Sequence, residues 1–126
     1  MNRYDFQKLA RVRLKDAEVL FKAGRFEGSF YLSGYVIECA LKACIAKRTR
    51  RYDFPDKALP QGAYTHDLTQ LVSLAKLESA LRTEFVVKEW NERSRYEANG
   101  QQQAEDLLNA VNDRRHGVLK WIRKYW

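Results

Sequence analysis

Proline and glycine are scarce in this chain, two and six among 126 residues. That leaves too few turn-formers for a fold of many short strands and favours helices. Cysteine occurs only as Cys39 and Cys44, five apart in one apolar run. On a helix they point about 140° away from each other, and their Cα atoms are too far apart to bridge. Free, buried thiols imply a reducing, cytoplasmic setting. No Cys/His cluster has zinc spacing and the two histidines stand alone, so neither a metal nor another cofactor is expected. The opening stretch MNRYDFQKLARVRLKD lacks the apolar core of a signal peptide, and a soluble chain without membrane attachment is expected. Enzyme signatures are missing as well. There is no GxxxxGK[ST] phosphate loop, no GxGxxG and no HExxH. No serine or cysteine has a base that spacing can propose, and no catalytic residue is assigned.

What the chain does have is length for one core, and residues 1–126 are expected to form a single domain. A net charge of +7 favours acidic partners such as nucleotides, RNA or an acidic protein surface. The stretch FYLSGYVIECALKACIA, residues 30–46, is interrupted only by Ser33, Gly34, Glu38 and Lys42. A helix this apolar all round belongs in the middle of a bundle. With a carboxylate and an amine inside it, a membrane span is a poor fit. Tyr31, Tyr35, Glu38 and Lys42 follow i, i+4, i+7, i+11 spacing and share one stripe. Phe30, Ile37, Leu41 and Cys44 lie opposite, as core. The stripe is either an internal Glu38–Lys42 pair that knits the bundle or the wall of a site.

The first helix is expected from Asp5, as N-cap, to Ala23, with Gly24 as its stop. Its apolar face holds Phe6, Leu9, Ala10, Leu14, Ala17, Leu20 and Phe21, with Arg13 in the middle. The central helix follows from Phe26 to Lys47, making an antiparallel hairpin with the first. A basic loop with Pro55, Pro60 and Gly62 comes next. A short helix capped by Thr65 then carries His66 in its first turn and Leu68, Leu71, Val72 and Ala75. Residues 78–90 continue helically. The polar run after them holds Arg93, Arg95 and Tyr96, which could clamp a phosphate or stack on a base as well as simply face water. The last helix is expected from Gln102 to Tyr125, with Ala104, Leu107, Leu108, Val111, Val118 and Ile122 on one face. Arg115 lies inside that stripe and His116 away from it. Buried charges persist when paired, so Glu38 should be neutralised by Lys42, Arg13 or Arg115. Any cation left over, beside Tyr31 and Tyr35, would face a cleft suited to a phosphate and a stacked base. The terminal Trp121, Tyr125 and Trp126 suggest a surface covered by a second subunit.

The run LARVRLKDAEVLFKAGRFEGSFYLSGYVIECALKACIA resembles the first two helices of the HEPN family (higher eukaryotes and prokaryotes nucleotide-binding). The resemblance is carried by Lys15-Asp16, the Gly-Arg-Phe turn at Gly24 to Phe26, Glu38, and Ala40-Leu41-Lys42-Ala43. His66-Asp67-Leu68 with Leu71, and Arg95-Tyr96, extend it. It implies an all-α, up-and-down bundle, of about five helices here, that dimerises and associates with nucleotides or RNA. Many bacterial and archaeal relatives pair with a minimal nucleotidyltransferase as toxin–antitoxin systems. Active members carry an arginine separated from a histidine by four to six residues, for metal-independent RNA cleavage. Here the positions required for His116 are Asn109, Ala110 and Val111, and for His66 they are Leu59, Pro60 and Gln61. The resemblance therefore implies a binding module without that ribonuclease motif. The candidate ligand-binding set is Arg13, Tyr31, Tyr35, Glu38, Lys42, Arg93, Arg95, Tyr96, Arg115 and His116. The alternatives are a degenerate ribonuclease using His116 with Arg114 or Arg115, and a non-catalytic dimerisation domain.

Overall fold

A computed structural model describes residues 1–48, Leu68, Gln70, Leu71, Ala75, residues 100–113 and residues 117–126. The fold is an all-α, up-and-down bundle. Four helices are delimited among the described residues: α1 (Arg3–Lys22), α2 (Phe26–Arg48), α3 (Gln101–Asn112) and α4 (Val118–Ile122).

α1 begins one turn earlier than its sequence suggests. Asn2, not Asp5, is the N-cap: its side chain accepts from the Asp5 N–H at 3.0 Å, and Asp5 Oδ2 accepts from the Asn2 N–H at 2.9 Å. Each side chain satisfies a backbone donor that the first helical turn leaves open. The other end closes on Gly24, which adopts φ +77°. The Gly24 N–H reaches the Phe21 carbonyl at 3.0 Å and the Arg25 N–H reaches the Leu20 carbonyl at 2.8 Å. This pair of bonds needs a residue in the left-handed region, where glycine alone has no Cβ penalty. Phe21 and Phe26 meet edge to face across the turn, 5.4 Å between centroids.

α2 is the axis of the bundle. Val36, Ile37, Ala40, Leu41 and Ala43 are fully buried, packed with Phe6 and Ala10 of α1 and Leu107, Val111, Val118 and Ile122 of the C-terminal helices. By length and composition alone α2 could cross a membrane, but 78% of its most apolar window is buried inside the fold. Small residues bring α1 close to it. Ser29 is buried against α1 and donates to the Ala17 carbonyl at 2.8 Å, and Ser33 donates back to the Ser29 carbonyl at 2.8 Å. Each hydroxyl thereby finds an acceptor inside the core.

The C-terminal region departs from the single long helix expected over 102–125. Asp113 has ψ 134° and Gly117 has ψ 140°, both extended, so the backbone leaves the helix after Asn112 and re-enters it at Val118. A Cβ on Gly117 would lie 2.9 Å from the Val111 carbonyl oxygen and from the Asp113 nitrogen, so the break is built around a residue without one. The expected apolar face nonetheless survives the break: Ala104, Leu107, Val111, Val118 and Ile122 are all buried. Leu68 and Leu71 are helical and buried as the sequence leads one to expect, and Ala75 is buried beside them. The expected loop after the central helix, Thr65, His66, the helix over residues 78–90 and the polar run that follows lie outside the described residues.

Candidate functional site

The stripe read from the sequence exists on α2. Tyr31 and Tyr35 are half-buried and stacked, 6.3 Å between centroids with planes 20° apart. One and two turns further on, Lys42 Nζ donates to Glu38 Oε2 at 3.2 Å. The Glu38 side chain is 1% exposed and that of Lys42 10%, so the pair is interior and its charges are held in low dielectric. Of the three cations proposed for Glu38, Lys42 makes this contact, Arg13 bonds Asp16, and Arg115 lies outside the described residues.

Arg13 sits across from the stripe on α1, where its Nη1 contacts Asp16 Oδ2 at 2.8 Å; both side chains are well exposed, at 38% and 45%. The guanidinium thus bonds a neighbour on its own helix and reaches Tyr35 and Cys39 only through its field. Burial pushes the Tyr35 hydroxyl up to about 12, with Cys39, Glu38 and Tyr31 adding to the rise and Arg13 opposing it. Burial likewise holds the Cys39 thiol at about 12; Glu38 raises it further, while Lys42, a hydrogen bond with Tyr35 and Arg13 pull it down. Cys44 is also raised to about 12 by burial, against the field of Lys47. Neither thiol is poised as a nucleophile, and both cysteines are free and buried, as their spacing implies.

The stripe therefore brings together Arg13, Tyr31, Tyr35, Glu38 and Lys42. Its charges cancel among the described residues, Arg13 against Asp16 and Lys42 against Glu38. Arg93, Arg95, Tyr96, Arg115 and His116 lie outside the described residues. No group of three His, Cys, Asp or Glu side chains that could hold a metal occurs among those described.

A second concavity went unread in the sequence. Between α1 and the C-terminal helices runs a groove of about 670 Å³ bordered by Arg11, Lys15, Lys120 and Arg123, with Glu18 and Asp113 also on its walls. Asn112 Nδ2 donates to Glu18 Oε1 at 2.8 Å, which ties α1 to the end of α3. The Trp126 indole lies between two guanidinium groups, 5.0 Å from Arg11 and 5.6 Å from Arg123. Trp121 packs on the core and tilts against Tyr125 at 4.9 Å. Trp121 and Trp126 are thus half-buried within the chain itself, while Tyr125 stays exposed. The i, i+4 pair Arg11–Lys15 and the i, i+3 pair Lys120–Arg123 were visible as patterns, but nothing in them says the two rows face each other.

No curated protein and no solved structure matches the chain. The family model of the HEPN domain matches residues 5–124, a span that takes in the hairpin, the stripe, the groove and both C-terminal helices. At the level of the family these are helical nucleotide- or RNA-binding modules that commonly dimerise. With nearly its whole length matched on an all-α bundle, the chain belongs to the HEPN domain family.

Proposed function

We propose that this chain is the nucleotide- or RNA-binding component of a two-component, toxin–antitoxin-type system, acting as a homodimer with a nucleotidyltransferase partner and without cleaving RNA. The observation that carries the binding reading is the Tyr31–Tyr35 stack beside Arg13. Two nearly parallel, half-buried rings are of the kind on which a base stacks, and the field of the Arg13 guanidinium reaches Tyr35. The missing ribonuclease spacing before His66 and His116 supports binding without cleavage. Without an arginine so placed, those histidines lack the companion that would steady charge on the phosphorane.

The test is a titration of the full chain with labelled single-stranded RNA and with nucleotides, alongside a cleavage assay. Tyr31→Ala and Tyr35→Ala should each weaken binding, stacking being worth about 1–3 kcal/mol per base. The RNA should remain intact. Affinities unchanged in both variants would remove the stack from the site. Turnover that disappears in His116→Ala would turn the reading into that of an enzyme. Co-purification with the product of a neighbouring nucleotidyltransferase gene tests the partner, and light scattering at micromolar concentration tests the dimer.

A further inference from the structure

We propose that the outward face of α1 is a docking surface for the phosphate backbone of single-stranded RNA. The inference rests on the RNA-binding reading above and concerns a face which that reading does not use. Lys8, Lys15 and Lys22 recur every seven residues. That is two helical turns, or about 10.5 Å per step, with a drift of only about 20°. All three are exposed, as is Arg11 between them, so they form one row of cations over about 21 Å of helix. Tyr4 and Val19 stand on the same face, 66% and 65% exposed.

The helix itself is net positive, six cations against three acids. α1 contains three acids, and each is engaged elsewhere: Asp5 closes the N-terminal cap, Asp16 bonds Arg13, and Glu18 accepts from Asn112. The C-terminal helix adds to the same side. Lys120, Arg123 and Lys124 are exposed, and the first and second border the groove opposite Arg11 and Lys15. Four cations against two acids leave that groove positive, and Trp126 holds the Arg11 and Arg123 guanidinium groups in place at its edge.

Three arguments choose the occupant. A second copy docking symmetrically would set the lysine row against itself, a like-charge contact. Lysine is depleted from the centres of protein interfaces but binds phosphate well as a point charge, and it supplies five of the seven exposed cations named. An exposed tyrosine beside cations suits a strand whose bases are unstacked and free to lie on the ring, which is how single strands are held.

The experiment compares three full-chain proteins, with a Lys→Arg triple and Tyr31→Ala as further controls, in binding a fluorescein-labelled oligouridine across a range of salt concentrations. The first is the wild type. The second is the triple variant Lys8→Gln, Lys15→Gln, Lys22→Gln. The third is a charge-matched control, Arg25→Gln, Lys47→Gln, Arg48→Gln, whose sites are also exposed. The lysine variant should bind about tenfold more weakly or worse, and its salt dependence should be shallower by roughly 0.7 per lost phosphate contact. The control should lie near the wild type, and a Lys→Arg triple at the same three positions should retain binding. Equal losses in the lysine variant and the control would show net charge alone at work and overturn the surface. Unchanged binding in the lysine variant, with weakened binding in Tyr31→Ala, would overturn the surface and leave the function standing. Failure of the wild type to bind RNA even at low salt would overturn both. Tighter binding of oligoglutamate than of oligouridine at matched charge would assign the face to an acidic protein and overturn the proposal.

Discussion

The stripe inside α2 and the row outside α1 are made of similar residues, cations and tyrosines at helical spacing, yet they do opposite things. On α2 a carboxylate lies one turn from the amine, and burial excludes water, so Glu38 and Lys42 close on each other. On α1 the cations outnumber the acids six to three, and Lys8, Lys15 and Lys22 face solvent. The first arrangement consumes charge to specify packing; the second accumulates it for something outside the chain. A cation in a helix therefore says little by its type. What decides its meaning is whether a carboxylate within reach is still uncommitted, and whether water can reach the pair.

The sharpest way to break this comparison is at Glu38. Glu38→Ala leaves the Lys42 amine buried without its carboxylate and should cost about 3–5 kcal/mol, read as a lower urea midpoint with unchanged slope. Replacing both partners by apolar residues, Glu38→Leu with Lys42→Met, should recover most of that loss, because no uncompensated charge remains. If Glu38→Ala melts like the wild type, the pair is not holding the bundle.

The alkaline limb of stability tests the dryness of the same interior. Tyr35, Cys39 and Cys44 all have folded pKa values raised to about 12, from 10.0 for the tyrosine and 9.0 for the thiols. A raised value means the folded state holds its proton longer, so this contribution is complete below about pH 9 and is lost as the pH climbs toward 12. Melting temperature should fall through that window, and the fall should be shallower in Cys39→Ala and Cys44→Ala. A melting curve flat from pH 9 to 11 would mean the stripe is wetter than its burial implies.

The smallest effect belongs to the outer row. Lys8→Gln, Lys15→Gln and Lys22→Gln should each leave stability within about 0.5 kcal/mol of wild type, as surface changes without partners do. A larger shift in chemical denaturation would mean that the row is part of the fold, and the contrast with Glu38 would collapse.

Much of this was legible in the chain. The apolar run from Phe30 to Ala46 marked the central helix, because little else can bury so many neighbours at once. Gly24 marked the turn, and the i, i+4 spacing marked the Glu38–Lys42 pair. Two local features were misread because competing residues were equally good on paper. Asp5 and Asn2 are both capping types, and only the backbone geometry shows that they serve together. The stripe from Ala104 to Ile122 keeps helical periodicity across a break, since residues on both sides of it pack on the same core. The groove could not be read at all. By spacing Glu18 could pair with Lys15 or Lys22, whereas it accepts from Asn112, 94 residues away. That choice of hydrogen-bond partner is made by tertiary contact.

The interruption at Asp113 to Gly117 has a consequence for the outline of the molecule. A straight helix over residues 101–125 would be about 37 Å long, against about 30 Å for α1. With the helix interrupted, Ile122 is fully buried and Trp126 lies against Arg11 in the middle of α1. The placement of Lys120 and Arg123 beside Arg11 and Lys15 thus depends on where the helix is interrupted. Where the break falls in the chain fixes the shape of the molecule's electric field, and relatives could redraw that field by moving it, with no change in a single ionisable residue.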